Sequence, residues 1–277
     1  MFALTGCKEE SDGGDADGNK WELNVTVDAT TDASDYADAA NASGNGTVTK
    51  KRYFKEITSS SKVAAIETTI KVNTSNTLKA TNGVCSAVGY MFGYNKNSDD
   101  SSKRDFYLLG IKPADGTNGK YYLEKYVGVD GTSSEATGWT KEKSMGTYSS
   151  YVGYGATTTT DNSPSADETA ISTAPDTTTE AGYSIYTITI TQETPGTYVV
   201  KLNGDTLATI TDDTHTSTID GTAGYATGSV CAYVMAPEGT KVEATYAVDK
   251  SKKDEIIKGT YNVAGGSLNE FDSIVLE

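Results

Sequence analysis

The chain has 277 residues, a length that a single all-β sandwich or barrel can occupy as one domain. Apolar residues make up 36% of it, and its aromatics are 18 Tyr against 5 Phe and 2 Trp, which fits strands joined by polar loops and leaves little room for long amphipathic helices. The formal charge of −15 repels the phosphate backbone of nucleic acid and excludes it as a main partner.

The first residues are Leu4-Thr5-Gly6-Cys7, followed by Lys8 to Lys20, a charged, Gly-rich stretch without large apolar side chains. Such a stretch cannot offset its ordering entropy and is expected to act as a flexible acidic tether over residues 1–20. The tetrapeptide resembles the lipobox of bacterial lipoproteins, which implies a diacylglycerol on the Cys7 sulfur and a membrane partner reached through that lipid. Only six residues precede Cys7, too few for the basic and apolar regions of a secretory signal. The resemblance therefore expects a start codon placed too late or a truncated chain. No run of about 18 apolar residues suggests a spanning helix.

Residues 21–277 read as one domain. Strand patterns cover Trp21 to Val27 and Val48 to Ile57, with a polar loop between them. Ile66, Thr68, Ile70 and Val72 alternate with Glu67, Thr69 and Lys71, the period-2 signature of a strand with one face on a core. Val84 to Tyr94, Asp105 to Ile111 and Tyr121 to Val129 follow, each closed by a turn, and the spacing predicts an antiparallel meander. The Thr/Ser/Asp/Pro-rich stretch at about 156–182 predicts a long, poorly ordered, exposed loop.

Alternation resumes at Tyr186, Ile188 and Ile190. The turn Glu193-Thr194-Pro195-Gly196 predicts type II geometry and Asn203-Gly204 a tight hairpin, which gives three strands in succession. Past Asp212 a polar stretch leads to strands at Ser229 to Met235, Lys241 to Val248 and Phe271 to Leu276, with Lys250 to Ile257 either a short helix or a charged loop.

Taken in order, Ile66 to Val72, Gly89 to Tyr94, Phe106 to Ile111, Tyr121 to Tyr126, Tyr198 to Gly204, Val230 to Val234 and Phe271 to Val275 resemble the concanavalin A-like lectin/glucanase sandwich, in particular its laminin-G-like branch. The resemblance implies an all-β, antiparallel two-sheet β-sandwich of jelly-roll type. Immunoglobulin-like and jelly-roll adhesins share the same alternation, although the Cys…Trp…Cys spacing of true immunoglobulin domains is missing.

Retaining glucanases need two carboxylates about 5–5.5 Å apart, which strands supply as acids at i, i+2 or i, i+4. Neither Glu67 nor Glu124 nor Glu243 has a second acid two residues away, so hydrolysis by that route is not expected. His215 is the one histidine, sits in a Thr/Ser/Asp loop and is expected to be solvated; its isolation excludes His-rich zinc sites and offers no base for a serine triad. Asp15-Ala16-Asp17-Gly18 fails as an EF-hand because the first and twelfth positions are Gly13 and Asn24. The resembled fold often binds calcium through loop carboxylates, which makes Asp99, Asp100, Asp212 and Asp213 candidate metal ligands. Cys85 and Cys231 lie in similar strand contexts and form a candidate disulfide. Trp139, Tyr148, Tyr151 and Tyr154 are candidate ligand-binding aromatics, since rings in a polar context can stack on sugars.

The expectation is a lipid-anchored, non-catalytic protein of the cell envelope, at the outer membrane or cell surface, binding a glycan or a host or matrix protein. The alternatives are a structural envelope lipoprotein without a specific ligand and a glycoside hydrolase of the concanavalin-like fold.

Overall fold

The computed structural model describes residues 20–28, 30, 50–56, 66–81, 83–130, 152–153, 168–219, 222–237 and 239–249. Every regular element among them is a strand. The first six are β1 (Lys20–Asp28), β2 (Lys50–Glu56), β3 (Ile66–Asn73), β4 (Ala87–Lys96), β5 (Lys103–Lys112) and β6 (Lys120–Asp130). The short β7 (Val152–Gly153) and β8 (Thr169–Ala170) precede β9 (Tyr183–Thr194), β10 (Thr197–Leu202) and β11 (Asp205–Thr211). Then come β12 (Thr216–Ile219), β13 (Thr222–Ala226), β14 (Ser229–Pro237) and β15 (Lys241–Asp249).

They form two large antiparallel sheets. The first runs β1-β15-β3-β9-β10-β11; the second runs β2-β14-β4-β5-β6-β7, with β8 also on β6, and β12-β13 is a separate hairpin. The architecture is thus the all-β, antiparallel two-sheet sandwich expected. Early strands close the edges against late ones: all nine residues of β1 pair with β15, and β2 pairs with β14.

Alternation decides the faces of the first sheet. In β3, Ile66, Thr68, Ile70 and Val72 are buried while their neighbours are half-exposed, and in β10 Tyr198, Val200 and Leu202 turn inward. Both turns have the expected backbone, the first one residue later than expected: in Thr194-Pro195-Gly196-Thr197, Gly196 takes φ 73°, as position i+2 of type II requires, and Asn203 and Gly204 take φ 51° and 89°, the signature of type I′.

β4, β5 and β6 form the expected meander in the second sheet, while β3 lies in the first, paired with β9 and β15. A period of two reveals a half-buried strand but not its neighbour. Three expectations need correction. The predicted 156–182 loop holds a short strand: Thr169 and Ala170 pair with Tyr121 and Lys120, and Ile171 is only 6% exposed, packed between the sheets, whereas 172–182 is irregular and mostly exposed. The polar stretch after Asp212 contains the β12–β13 hairpin.

The third concerns Cys85 and Cys231, which are separate buried thiols rather than a disulfide. Cys231 lies opposite Met91 and Met235 opposite Ala87, so four residues, roughly 13 Å of strand, separate those rows, and Cys85 lies beyond the second. A disulfide needs Cα atoms about 4.4–6.8 Å apart. The Phe271 to Leu276 strand and Lys250 to Ile257 fall outside the described residues, as do 1–19 and 156–167.

In the second sheet Gly89 and Gly110 sit opposite each other on β4 and β5, and the Tyr122 ring of β6 lies over Gly110. A Cβ at Gly110 would stand 2.0 Å from that ring. Gly110→Ala should therefore cost about 1–3 kcal/mol, read as a lower urea midpoint; an unchanged midpoint would mean that Tyr122 packs elsewhere.

Candidate functional site

β4, β5 and β14 carry long apolar runs and β6 carries apolar residues on both sides of Glu124-Lys125, and strands of that kind are buried on both faces. One face of the second sheet joins the inter-sheet core through residues such as Tyr90, Phe92, Tyr107, Leu109, Leu123 and Val234. The other face carries a separate cluster that includes Phe54, Met91, Tyr94, Phe106, Tyr122, Tyr126 and Tyr233. All of these side chains are at most 8% exposed, although no strand among the described residues forms a third layer over them.

This outer face has an ordered geometry. Rings run across it from β2 to β6, with Phe54–Tyr94, Tyr94–Phe106 and Phe106–Tyr126 centroids 5.4, 5.9 and 4.9 Å apart. The last pair is stacked, with 21° between planes. The Arg104 guanidinium lies 6.0 Å from the Tyr94 centroid and donates to the carbonyls of Ser101 and Lys103. Glu124 is 0% exposed among these rings and accepts a hydrogen bond from the Tyr126 hydroxyl, two residues along the same strand face. At the far end Lys112, 5.8 Å from the Tyr122 centroid, forms an ion pair with Glu168. Aromatic planes with an embedded carboxylate and flanking cations can, in principle, stack on an apolar ring face and hydrogen-bond hydroxyl groups.

A second polar constellation lies where the β4–β5 turn meets the loop before β12. His215 Nε2 is 2.8 Å from Asp105 Oδ2, and Asn97 Nδ2 donates to Asp105 Oδ1 at 2.8 Å. The His215 side chain is 13% exposed, so the expectation of a solvated loop histidine is overturned: the pair ties the loop to β5. Thr227 N and Oγ1 donate to the His215 carbonyl and fix it further. Sequence reasoning missed this pair because its members are 110 residues apart.

The candidate metal ligands do not converge. Asp100 Oδ1 accepts from Ser102 N and Oγ at 3.0 and 2.6 Å, Asp212 Oδ1 accepts from Thr214 N and Oγ1 at 2.9 and 2.7 Å, and Asp99 N is itself a donor to Asn97 Oδ1. Asp99 and Asp213 are exposed in the same two turns. Among the described residues no three His, Cys, Asp or Glu side chains gather as a metal centre would need, so these acids do not fit a calcium site, and Asp100 and Asp212 close turns instead. Cys7, Trp139, Tyr148, Tyr151 and Tyr154 lie outside the described residues.

No family model and no curated protein matches the chain. Among solved structures it is similar to a legume lectin-like domain from Entamoeba histolytica, at 11% identity over 90% of this chain and 95% of that one, with a TM-score of 0.32. It is also similar to the alginate lyase Aly36B, at 11% identity over 85% and 84% of the two chains with a TM-score of 0.28, and to a mutant of that lyase in complex with an alginate trisaccharide, at 8% identity, 82% and 79% coverage and a TM-score of 0.27. At that distance the function has to be argued from the residues of this chain.

The turn-closing acids make stability depend on pH. Burial pushes the Asp212 carboxyl up, but the Thr214 hydroxyl and amide, the charge of Lys125 and the Tyr107 hydroxyl outweigh it and hold it below its ordinary value. Hydrogen bonds to the Ser102 hydroxyl and amide lower Asp100, and those to the Thr179 and Thr178 hydroxyls and amides lower Asp176. A depressed carboxyl contributes stability that is complete above its unfolded pKa and disappears as pH falls through the folded one. The urea midpoint should hold from pH 7 to about pH 5 and drop below it, and Asp212→Ala should reduce that drop while costing about 1–3 kcal/mol at pH 7.

Proposed function

We propose that this chain is a lipid-anchored, non-enzymatic recognition protein of the cell envelope whose ligand is a glycan taken on the outer face of the second sheet. The observation that carries the reading is the row Phe54, Tyr94, Phe106 and Tyr126 with the Glu124 carboxylate beside it. These five side chains are at most 7% exposed, so binding requires this face to open; the rings would then offer flat apolar surface to a sugar and the carboxylate acceptors to its hydroxyls. The partner of Glu124 on its own strand face is a tyrosine and not a second acid, which supports binding over hydrolysis. The Leu4-Thr5-Gly6-Cys7 motif supports the lipid and, with it, the outer-membrane or cell-surface location.

One observation favours a second reading, a structural envelope lipoprotein without a specific ligand. The rings of the outer face are buried like core residues, and a face packed that closely gives a ligand no access.

A glycan array separates the two. Recognition predicts saturable binding that weakens at least tenfold, about 1.4 kcal/mol, in Glu124→Gln, without release of reducing ends. No binding across broad glycan and matrix panels leaves the structural reading. For the anchor, a full-length product made with its natural start should take up a palmitate analogue and sediment with membranes, and Cys7→Ser should abolish both; an unlabelled parent protein removes the lipid from the proposal.

A further inference from the structure

Inside the sandwich, Phe92, Tyr107 and Tyr198 pack ring against ring, with centroids 5.1 to 5.6 Å apart. Tyr198 is 0% exposed and its hydroxyl has no hydrogen-bond partner in the protein. A phenol seldom stays in that state, because burying a donor unpaired forfeits its bond to water. The hydroxyl points at Gly93, where a Cβ would lie 2.9 Å away and where φ is 59°, so only glycine leaves the space beside it. Gly93 falls within the stretch of β4 whose register to β5 shifts, and such bulges re-aim the chain.

Two further polar groups border this point. Asp212 is 4% exposed and its negative charge acts on Tyr198. The Tyr107 hydroxyl lies close enough to the Asp212 carboxyl to lower its pKa.

We propose that this site binds one structural water molecule, which joins the Tyr198 hydroxyl to the Asp212 carboxylate and the Tyr107 hydroxyl. Tyr198 donates to the water oxygen. The water donates one proton to Asp212 and the other to the Tyr107 oxygen, whose own proton faces Asp212. Three polar partners lie within the two to four that a buried water uses. An anion is repelled by Asp212. A metal cation competes with Lys125, whose ammonium lies 5.3 Å from the Tyr107 centroid and acts on the same carboxylate. The bound water makes β5, β10 and the turn after β11 one hydrogen-bonded unit beside Gly93 of β4.

Tyr198→Phe keeps the ring and removes only the donor. With a bridging water, the unfolding equilibrium constant should rise about 5- to 30-fold, and the rise should shrink when Asp212 is already Asn, because the two changes then break one network. A crystal structure at atomic resolution should show solvent density about 3 Å from Tyr198 Oη and from Asp212. The proposal is overturned if Tyr198→Phe is at least as stable as the parent chain, or if that map shows no solvent peak at the hydroxyl.

Discussion

Among the described residues, six of the seven rings in the inter-sheet core are tyrosines, Phe92 being the exception, so this sandwich has to place hydroxyl groups where apolar atoms would do. Each buried hydroxyl demands an acceptor, and an unmet demand costs more than the ring gains in polarity. Much of the interior follows from that constraint. The Tyr90 hydroxyl donates to Thr68 Oγ1 at 2.6 Å, and Thr68 passes its own proton to the Ala247 carbonyl at 2.6 Å, which places a polar residue on the inward face of β3 and joins it to β15. Tyr246 donates to the carbonyl of Tyr233 across the gap between the sheets, and its ring meets that of Tyr90 edge-on at 5.5 Å. Apolar packing alone is tolerant of small shifts. Hydroxyls with fixed acceptors are not, so they set the register of one sheet on the other.

Gln192 applies the same logic at the sandwich end. It is fully buried; its Oε1 accepts from the amides of Gly196 and Ala226 and its Nε2 donates to the Ala226 carbonyl. One amide side chain thus satisfies three backbone groups and holds the β9–β10 turn against β13. The β12–β13 hairpin is fixed from its other side by Asp105 and His215. A hairpin too short and polar to fold alone is therefore held by side chains that belong to distant strands.

What could be read from the sequence follows from how local the determining physics is. The β9–β10–β11 succession was legible because Thr/Ile alternation, Pro195-Gly196 and Asn203-Gly204 each act within a few residues, and the backbone angles at Gly196, Asn203 and Gly204 bear them out. β4, β5, β6 and β14 were legible as strands, but a run apolar on both sides does not say which residues face the partner sheet, so the outer row from Phe54 to Tyr126 and the carboxylate of Glu124 went unseen. A signal was present: apolar runs in β4, β5 and β14 imply a sheet covered on both faces, and Glu124, between Leu123 and Tyr126 on the neighbouring β6, is then buried with it. The similar settings of Cys85 and Cys231 misled because both do lie at strands, while the distance along the sheet is invisible without the β14–β4 register. Asp105 and His215 gave no local sign of meeting.

The acidic turns reward a closer reading of local chemistry. Asp100-Ser101-Ser102, Asp176-Thr177-Thr178 and Asp212-Asp213-Thr214 all have an aspartate two residues before a hydroxyl, and in each the carboxylate accepts both the amide and the hydroxyl at that position. The motif competes with metal ligation for the same lone pairs, because an oxygen with two donors already aimed at it has lost the geometry a hard cation requires. It also explains how a chain of charge −15 tolerates its carboxylates: part of the negative charge is directed onto backbone amides at chain reversals instead of being left to repel other acids across the surface. Acid count and turn location alone point toward calcium. The spacing to Ser or Thr points toward turn closure, because an acceptor two residues before a hydroxyl reaches both that hydroxyl and its amide.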